Sequence, residues 1–185
     1  MKWLPHSPLS KLITVAIIGA GPLGRWLALR AAQAGNRVLL EDVMPSSLHH
    51  ARESIRQQLS AQALPAVDFV STVEDAVREA DLAIDCVPDE LESKLEILFL
   101  IDRMAPPRTV IATPTTSQSI ADLASCTNRA DRCIAIAARA EELTGEAQKE
   151  ITLRAAQATS AETVELTSVF FLELGFAVRT EREPA

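Results

Sequence analysis

The chain has 185 residues, a length typical of one domain that can bury a hydrophobic core. Hydrophobic residues make up 48% of the chain and charged residues 23%, which is ordinary for a soluble globular protein. The net charge is −7 and no basic stripe offsets it, so nucleic acid is excluded as the expected partner.

The cysteine content and the lengths of the apolar runs indicate the cellular location of the protein. Cys86, Cys126 and Cys133 form neither a C-x-x-C motif nor a metal-ligand spacing, and the odd count predicts reduced thiols in a cytoplasmic protein. The three histidines show no zinc-like pattern, so we predict no metal site. The sequence contains no run of about 18 consecutive apolar residues, so no membrane span is predicted. Residues 1–11 carry two prolines and no long apolar core, which predicts a short tail rather than a secretory signal.

A glycine-rich turn between a strand and a helix dominates the N-terminal part of the chain. Residues 13–18 read as a buried strand, and Gly19, Gly21 and Gly24 follow it with the spacing G-x-G-x-x-G. The first glycine permits a tight turn, the second a close approach of a pyrophosphate to the backbone, and the third close packing of helix on strand. Pro22 suits the first turn of that helix. The predicted cofactor-binding residues of this turn are Gly19, Ala20, Gly21, Pro22, Leu23 and Gly24.

An acidic residue follows the second predicted strand. Residues 37–42 read as a buried strand, and Asp42 at its carboxyl end follows the last glycine by roughly the 20 residues typical of dinucleotide-binding folds. Its carboxylate is predicted to bind the ribose hydroxyls of an adenosine, whereas Glu41 points to the other face of the strand. An acid at this position repels a 2′-phosphate, so we predict NAD rather than NADP as the cofactor.

The remaining chain alternates helices and strands. Further strands are predicted at 67–72, within 81–90 up to Pro88, and at 109–113, 132–137, 150–154 and 176–180. Further helices are predicted at 45–59, 73–80, 91–104, 119–124 and 160–174, and residues 138–149 read equally as loop or helix. The alternation predicts parallel β-α-β units in an α/β fold, a doubly wound, mostly parallel sheet of about eight strands with Rossmann topology.

The domain boundaries follow from the same pattern. We predict an N-terminal tail at 1–11, one dinucleotide-binding domain at 12–181 and a C-terminal tail at 182–185. In a doubly wound sheet the loop after the fourth strand lies at the ligand crevice.

Several motifs together resemble the NAD-binding domain of the 3-hydroxyacyl-CoA dehydrogenase family over nearly the whole chain. They are residues 15–24, 38–42, 80–89, 112–117 and 131–136, in the order and spacing of that family. The resemblance implies NAD as cofactor and an oxidoreductase of fatty acid metabolism that acts on a 3-hydroxyacyl-CoA or a related hydroxy acid.

The resemblance also implies further cofactor-binding residues. Val87 and Pro88 lie in the loop at the crevice, Asp89 takes the place of a family glutamate, and Lys94 takes the place of a family lysine that lines the cofactor. Thr116 takes the place of a serine that touches nicotinamide and substrate, and it is the weak candidate for a catalytic residue. From the residues alone, Asp89 reads equally as a helix cap and as a cofactor contact. Lys94 reads as a solvated helix residue unless the fold places it at the crevice.

The sequence departs from the family pattern where the reaction requires a base. The family's catalytic histidine follows the sixth strand in a His-Phe-Phe-Asn-Pro run, and alignment without gaps from Thr113 places Ala137 on that histidine and Ala140 on the asparagine. The family glutamate that orients the histidine falls on Thr152 or Glu150. Oxidation of an alcohol requires a positioned base, which alanine does not provide.

Two further family features are reduced. Only residues 60–66 remain where family members carry a lysine-rich helical excursion that meets the CoA, and the chain ends about where a helical substrate domain begins in them. Glu141, Glu142 and Glu150 are possible substitute bases.

Two hypotheses therefore stay open. One is an NAD-dependent oxidoreductase of a hydroxyacyl thioester or hydroxy acid, completed by another polypeptide or in a homodimer. The other is a non-catalytic NAD(H)-binding module that serves as a sensor, scaffold or partner subunit. Neither involves nucleic acid or a membrane.

Overall fold

The structure is a computed structural model that describes residues 12–59, 66–145 and 150–184, so the predicted tail at 1–11 lies outside it. The strands are β1 (Thr14–Ile18), β2 (Arg37–Glu41), β3 (Val67–Val70), β4 (Leu82–Asp85), β5 (Val110–Pro114), β6 (Cys133–Ile136), β7 (Glu150–Ala155) and β8 (Ala177–Arg182). The α-helices are α1 (Pro22–Gln33), α2 (Pro45–Gln58), α3 (Val73–Val77), α4 (Leu91–Met104), α5 (Ile120–Ala124), α6 (Ala140–Thr144) and α7 (Ala161–Glu173).

The eight described strands form one sheet in the order β3-β2-β1-β4-β5-β6-β7-β8. All neighbouring pairs are parallel except β6 and β7. The chain moves outward from β1 to β3, then returns to β4 on the other side of β1. This reversal between β1 and β4 creates a crevice at the carboxyl ends of the strands, where doubly wound proteins bind ligands. The predicted α/β fold is confirmed.

Hydrophobic layers cover both faces of the sheet. Val15 and Ile17 of β1 belong to one core, which includes buried residues of α1 and α7, whereas Ala16 and Ile18 belong to a second core with residues of α3, α4 and α5. Successive side chains of a strand point to opposite faces, so a strand buried on both faces reads as a continuous apolar run.

The turn between β1 and α1 depends on two glycines. Gly19 has a φ of +104°, a conformation that favours glycine, and a Cβ there would lie 3.2 Å from the carbonyl oxygen of Cys86. A Cβ at Gly24 would overlap the carbonyl oxygen of Gly19. Both glycines are therefore required for α1 to pack closely on the end of β1.

The structure corrects the expectation of parallel units throughout. In the described part of the connection between β6 and β7, residues 137–145, the only α-helix is the five-residue α6, which packs on α1. A parallel crossover must carry the chain back along the whole sheet, which usually takes a dozen or more residues and a longer helix. Helix α6 spans only about 7.5 Å at about 1.5 Å per residue, and β7 runs antiparallel to β6.

The last strand also differs from its predicted bounds. Strand β8 reaches Arg182, and the next backbone N–H, that of Glu183, donates a hydrogen bond to the carbonyl oxygen of Ala155 at 2.9 Å. Residues 182 and 183 therefore belong to the sheet region rather than to a separate tail. None of the described helices has the length and apolar character needed to cross a membrane.

We predict that Gly24→Ala destabilises the protein by about 2 kcal/mol or more, because the added methyl group must displace the Gly19 carbonyl. Chemical denaturation measures the change. The matched control is Gly21→Ala, since a Cβ at Gly21 meets no atom within 4 Å; its cost at a helix N-cap is about 1 kcal/mol or less. Equal stabilities of the two variants would contradict this account of the turn.

Candidate functional site

A cleft of about 800 Å³ opens at the carboxyl ends of the strands, at the reversal between β1 and β4. Its walls come from the loops after β1, β2, β4, β5 and β6. The lining residues are Gly19, Gly21, Pro22, Leu23, Asp42, Cys86, Val87, Pro88, Asp89, Pro114, Thr116, Ala138, Arg139, Glu141 and Thr144. The cleft thus brings together most residues that the sequence nominated for cofactor binding.

The N-terminus of α1 faces this cleft without a capping side chain. Gly21 is the N-cap residue, Pro22 occupies the first helical turn, and that turn carries no acidic residue. No atom lies within 4 Å of the place a Cβ of Gly21 would take, so the space beside this backbone is open. Free N–H groups and the positive end of a helix dipole favour an anion such as a phosphate. This geometry fits a pyrophosphate.

Asp42 lies beside the glycine turn. One carboxylate oxygen, Oδ2, accepts a hydrogen bond from the Ala20 N–H at 2.9 Å, and Oδ1 accepts one from the Met44 N–H at 2.8 Å. Each carboxylate oxygen has two lone pairs, so both keep acceptor capacity for a hydroxyl group. The side chain is partly exposed and lines the cleft. Its position is suitable for binding the two hydroxyls of a ribose.

Glu41 points to the opposite face of β2 and is only 6% exposed. Burial, together with the smaller effect of the charge of Asp42, raises the pKa of its carboxyl group to about 7. Its neighbours in the sheet register are the apolar residues Ile18 of β1 and Val70 of β3. The sequence predicted which face of β2 carries the Glu41 side chain, but it did not predict the raised pKa of the carboxyl group.

Lys94 occupies a place that neither sequence interpretation described. Its side chain is 0% exposed, and Nζ lies 3.2 Å from Oδ1 of Asp85 and 3.0 Å from Oγ1 of Thr113. The expectation of a solvated lysine is wrong, and the structure places the ammonium group beneath the cleft rather than among its lining residues. The hydrophobic pattern did not predict this ion pair because Asp85 belongs to an apolar strand. The signal in the sequence was the acidic residue at the carboxyl end of that strand.

The Lys94–Asp85 pair supports the loop after β4. Asp85 is itself 0% exposed, and its Oδ1 also accepts a hydrogen bond from the Val87 N–H at 3.3 Å. Burial raises the pKa of the Asp85 carboxyl group, and the charge and hydrogen bonds of Lys94 oppose this shift. The pair therefore fixes the turn that presents Cys86 and Val87 to the cleft.

Asp89 connects the loops after β4 and β5. Its Oδ2 accepts hydrogen bonds from the Thr116 N–H at 3.2 Å and the Ser117 hydroxyl at 3.1 Å. Partial burial opposes ionisation, but hydrogen bonds from Thr115, Thr116 and Ser117 outweigh it and lower the pKa of Asp89. Asp89 is not the cap of α4, whose N-cap residue is Glu90. The helix-cap interpretation is therefore wrong.

Cys86 lines the cleft although the sequence did not nominate it. Burial is the main cause that raises the pKa of its thiol, and the charge of Asp85 acts in the same direction. The thiol is therefore protonated near neutral pH and is not a thiolate nucleophile. Its position immediately after β4 is the signal that would have placed it at the crevice.

Ala137 and Thr152 face each other across the antiparallel pair of β6 and β7. The Ala137 N–H donates a hydrogen bond to the Thr152 carbonyl oxygen at 2.8 Å, immediately beyond the register pair of Ile136 and Leu153. Of the two positions considered for the partner of residue 137, Thr152 is thus the direct neighbour, and Glu150 lies further along β7. Neither side chain of the neighbouring pair is a base at neutral pH.

Comparison with known proteins identifies the family. Residues 14–175 match the profile described as "3-hydroxyacyl-CoA dehydrogenase, NAD binding domain". The chain belongs to this family. The chain is thus an NAD-binding domain of the 3-hydroxyacyl-CoA dehydrogenase family, whose cofactor is NAD.

Similar proteins include dehydrogenases of several substrates. A probable 3-hydroxybutyryl-CoA dehydrogenase of Bacillus subtilis is 29% identical over 133 residues, covering 65% of this chain and 46% of the relative. The 5-formyl-3-hydroxy-2-methylpyridine 4-carboxylate 5-dehydrogenase of Mesorhizobium japonicum is 33% identical over 120 residues, 59% of this chain and 38% of the relative. The matched segment spans less than half the length of either relative.

A solved structure shows the same fold. The (S)-3-hydroxybutyryl-CoA dehydrogenase of Ralstonia eutropha superposes with a TM-score of 0.84 at 24% sequence identity, covering 94% of this chain and 65% of the other. At this identity the likeness establishes the fold of this family domain and no more.

We predict that Glu41→Gln alters how stability depends on pH. The folded protein holds the Glu41 proton up to about pH 7, whereas the ordinary pKa is 4.5, so the wild-type loses stability as the pH rises through this window. The neutral glutamine avoids this loss and stabilises the protein at pH 8 by on the order of 1–3 kcal/mol. Urea denaturation at pH 4.5 and pH 8 measures the difference.

The matched control for this prediction is Glu53→Gln on α2, where the glutamate is exposed. That variant should follow the wild-type curve at both pH values. A Glu41→Gln variant that is no more stable than the wild-type at pH 8 would show that the buried carboxyl group is not the source of the pH dependence.

Proposed function

We propose that this chain holds NAD(H) in the cleft and does not by itself catalyse efficient oxidation or reduction of a hydroxyacyl-CoA. The observation that carries the binding half is the open backbone at Gly21, next to the uncapped N-terminus of α1 and the carboxylate of Asp42. The observation that carries the catalytic half is the pairing of Ala137 with Thr152.

The spacing of the strands supports an extended dinucleotide. Asp42 follows β2 and Thr116 follows β5, and the sheet order separates these strands by β1 and β4. Three strand intervals amount to about 14 Å at about 4.8 Å each. An adenosine at Asp42 and a nicotinamide at Thr116 lie at the two ends of such a distance, with the pyrophosphate between them at Gly21.

The catalytic half rests on proton transfer. NAD accepts or donates the hydride when it is bound, but the alcohol proton must move to a positioned base. By resemblance that base is a histidine at position 137 with a carboxylate partner on the next strand. Ala137 stands at the aligned place of that histidine and Thr152 is its direct neighbour across the strands, so neither of these two side chains supplies a base.

A second candidate function, an oxidoreductase of a hydroxy acid, is favoured by one observation. Glu141 lines the cleft together with Ala138 and Arg139, which follow β6. By resemblance, the base of the family also follows β6, so the Glu141 carboxylate lies in the same wall of the cleft. The relatives' substrates include hydroxyacyl thioesters and a hydroxypyridine carboxylate, so the substrate class of such an activity would be a small hydroxy compound.

We predict that Asp42→Ala weakens NADH binding by about tenfold or more, because hydrogen bonds to a charged group contribute about 1.5–3 kcal/mol. Fluorescence titration of the full chain with NADH measures the dissociation constant. The control is Asp68→Ala on β3, a half-exposed carboxylate that pairs with Arg37 outside the cleft. An unchanged affinity in Asp42→Ala would mean that another residue holds the ribose.

We predict that the full chain oxidises NADH with acetoacetyl-CoA at least about 10²-fold more slowly than ordinary family enzymes, since one acid–base group contributes about 10²–10⁴-fold. NADH absorbance measures the rate. Turnover at about 1 per second or faster would contradict the proposal. In that case Glu141→Gln distinguishes the candidates, because a collapse of the rate would identify Glu141 as the base.

A further inference from the structure

Glu183 makes an unusual number of contacts for a residue that follows the last strand. Its Oε1 accepts a hydrogen bond from the Ile120 N–H at 2.9 Å, and its Oε2 accepts from the Ser119 hydroxyl at 2.9 Å and the Ala121 N–H at 3.2 Å. Only 12% of the side chain is exposed. The carboxylate thus holds the start of α5, the helix that follows the loop carrying Thr116.

Arg154 joins Glu183 to the loop itself. Its Nε lies 3.2 Å from Oε1 of Glu183, and its Nη2 donates to the carbonyl oxygens of Gln118 at 2.9 Å and Thr115 at 3.4 Å. The guanidinium group is held by its ion pair with Glu183 and by the two hydrogen bonds that Nη2 donates to backbone carbonyls. Loop residues 115–118 are thereby held by a side chain of β7.

The same loop is held from the cleft side by Asp89, through the Thr116 N–H. Its backbone is also tied to β6, because the Thr115 N–H donates to the Ile136 carbonyl oxygen at 3.0 Å. The Arg154–Glu183 pair is therefore one of three supports that set the position of Thr116.

We infer that Glu183, acting through Arg154 and the 115–118 loop, is a positioning residue for the nicotinamide end of the cleft. The inference rests on the proposed function, which places nicotinamide at Thr116 and adenosine at Asp42. Glu183 touches neither the cleft nor Asp42, so its influence is confined to one half of the cofactor. Release of the 115–118 loop moves Thr116 and leaves the Gly21 and Asp42 contacts as they are.

A positioning role therefore predicts that a variant loses affinity for NADH but keeps its affinity for ADP-ribose. A general loss of structure would weaken the binding of both nucleotides. ADP-ribose carries the adenosine, the diphosphate and the second ribose of NADH but lacks nicotinamide. In Glu183→Gln the charge is removed and the shape kept, and we expect NADH affinity to fall about tenfold while ADP-ribose affinity stays within about twofold. Calorimetric titration of the full chain with each nucleotide measures both.

Two variants support the interpretation. Glu181→Gln on β8 is the matched control, since Glu181 is exposed and pairs only loosely with Arg179, and it should bind both nucleotides as the wild-type does. Arg154→Lys keeps the charge but loses the fork, and we expect the same selective loss of NADH affinity. It also serves as the test if Glu183→Gln does not fold. The double variant should lose no more than the larger single loss, because the two residues act as one unit.

The outcomes separate this inference from the proposed function. A wild-type chain that binds neither NADH nor ADP-ribose overturns the proposed function, and the inference with it. A wild-type that binds both, together with variants whose NADH affinity is unchanged, overturns the positioning role alone. Equal weakening of both nucleotides in the variants also overturns it, because that pattern reports a general loss of structure.

Discussion

The close contact between the start of α1 and the turn after β1 is the constraint on which the rest of the site depends. Gly24 lies against the Gly19 carbonyl, with no room for a side chain, so α1 begins directly above the end of the central strand. This contact directs the N-terminus of the helix into the crevice where the strand order reverses. The open space beside Gly21 and the proximity of Asp42 to Ala20 both follow from it. The anion-binding character of the cleft is thus a consequence of packing.

Apart from Asp42, several charged side chains at this edge of the sheet support its loops. Asp85 at the end of β4 is neutralised by Lys94 beneath the cleft, and Asp89 ties together the two loops that form one wall. At the far side, Glu183 and Arg154 hold the loop that carries Thr116. These groups are buried or hydrogen-bonded, so their contribution is to fix backbone positions. This arrangement is what a cofactor-binding domain requires, because a rigid cleft avoids the entropic cost of ordering loops on binding.

Much of this was readable from the sequence, and the exceptions have physical reasons. The spacing of Gly19, Gly21 and Gly24 and the placement of Asp42 were sufficient to predict the fold and the cleft, because each residue type answers a local backbone requirement. The antiparallel β7 was missed because alternation of elements does not encode the direction of a strand after a short helix.

The pairings were harder to predict because they join distant segments. Lys94 and Asp85 lie on neighbouring elements, but only the structure shows that α4 turns the lysine inward onto the strand end. Glu183 was assigned to a tail because its partners, Ser119 and Arg154, are far from it in sequence. Side-chain contacts of this kind depend on tertiary packing, which periodicity and spacing do not specify.

The central claim is that a glycine cradle and one carboxylate select an adenine dinucleotide that carries no 2′-phosphate. Calorimetric titration of the full chain with NADH and with NADPH tests it most directly. The account predicts one NADH site per chain and an NADPH affinity roughly tenfold or more weaker, because Asp42 repels the 2′-phosphate. Absence of heat with NADH, or equal affinity for the two nucleotides, would contradict it.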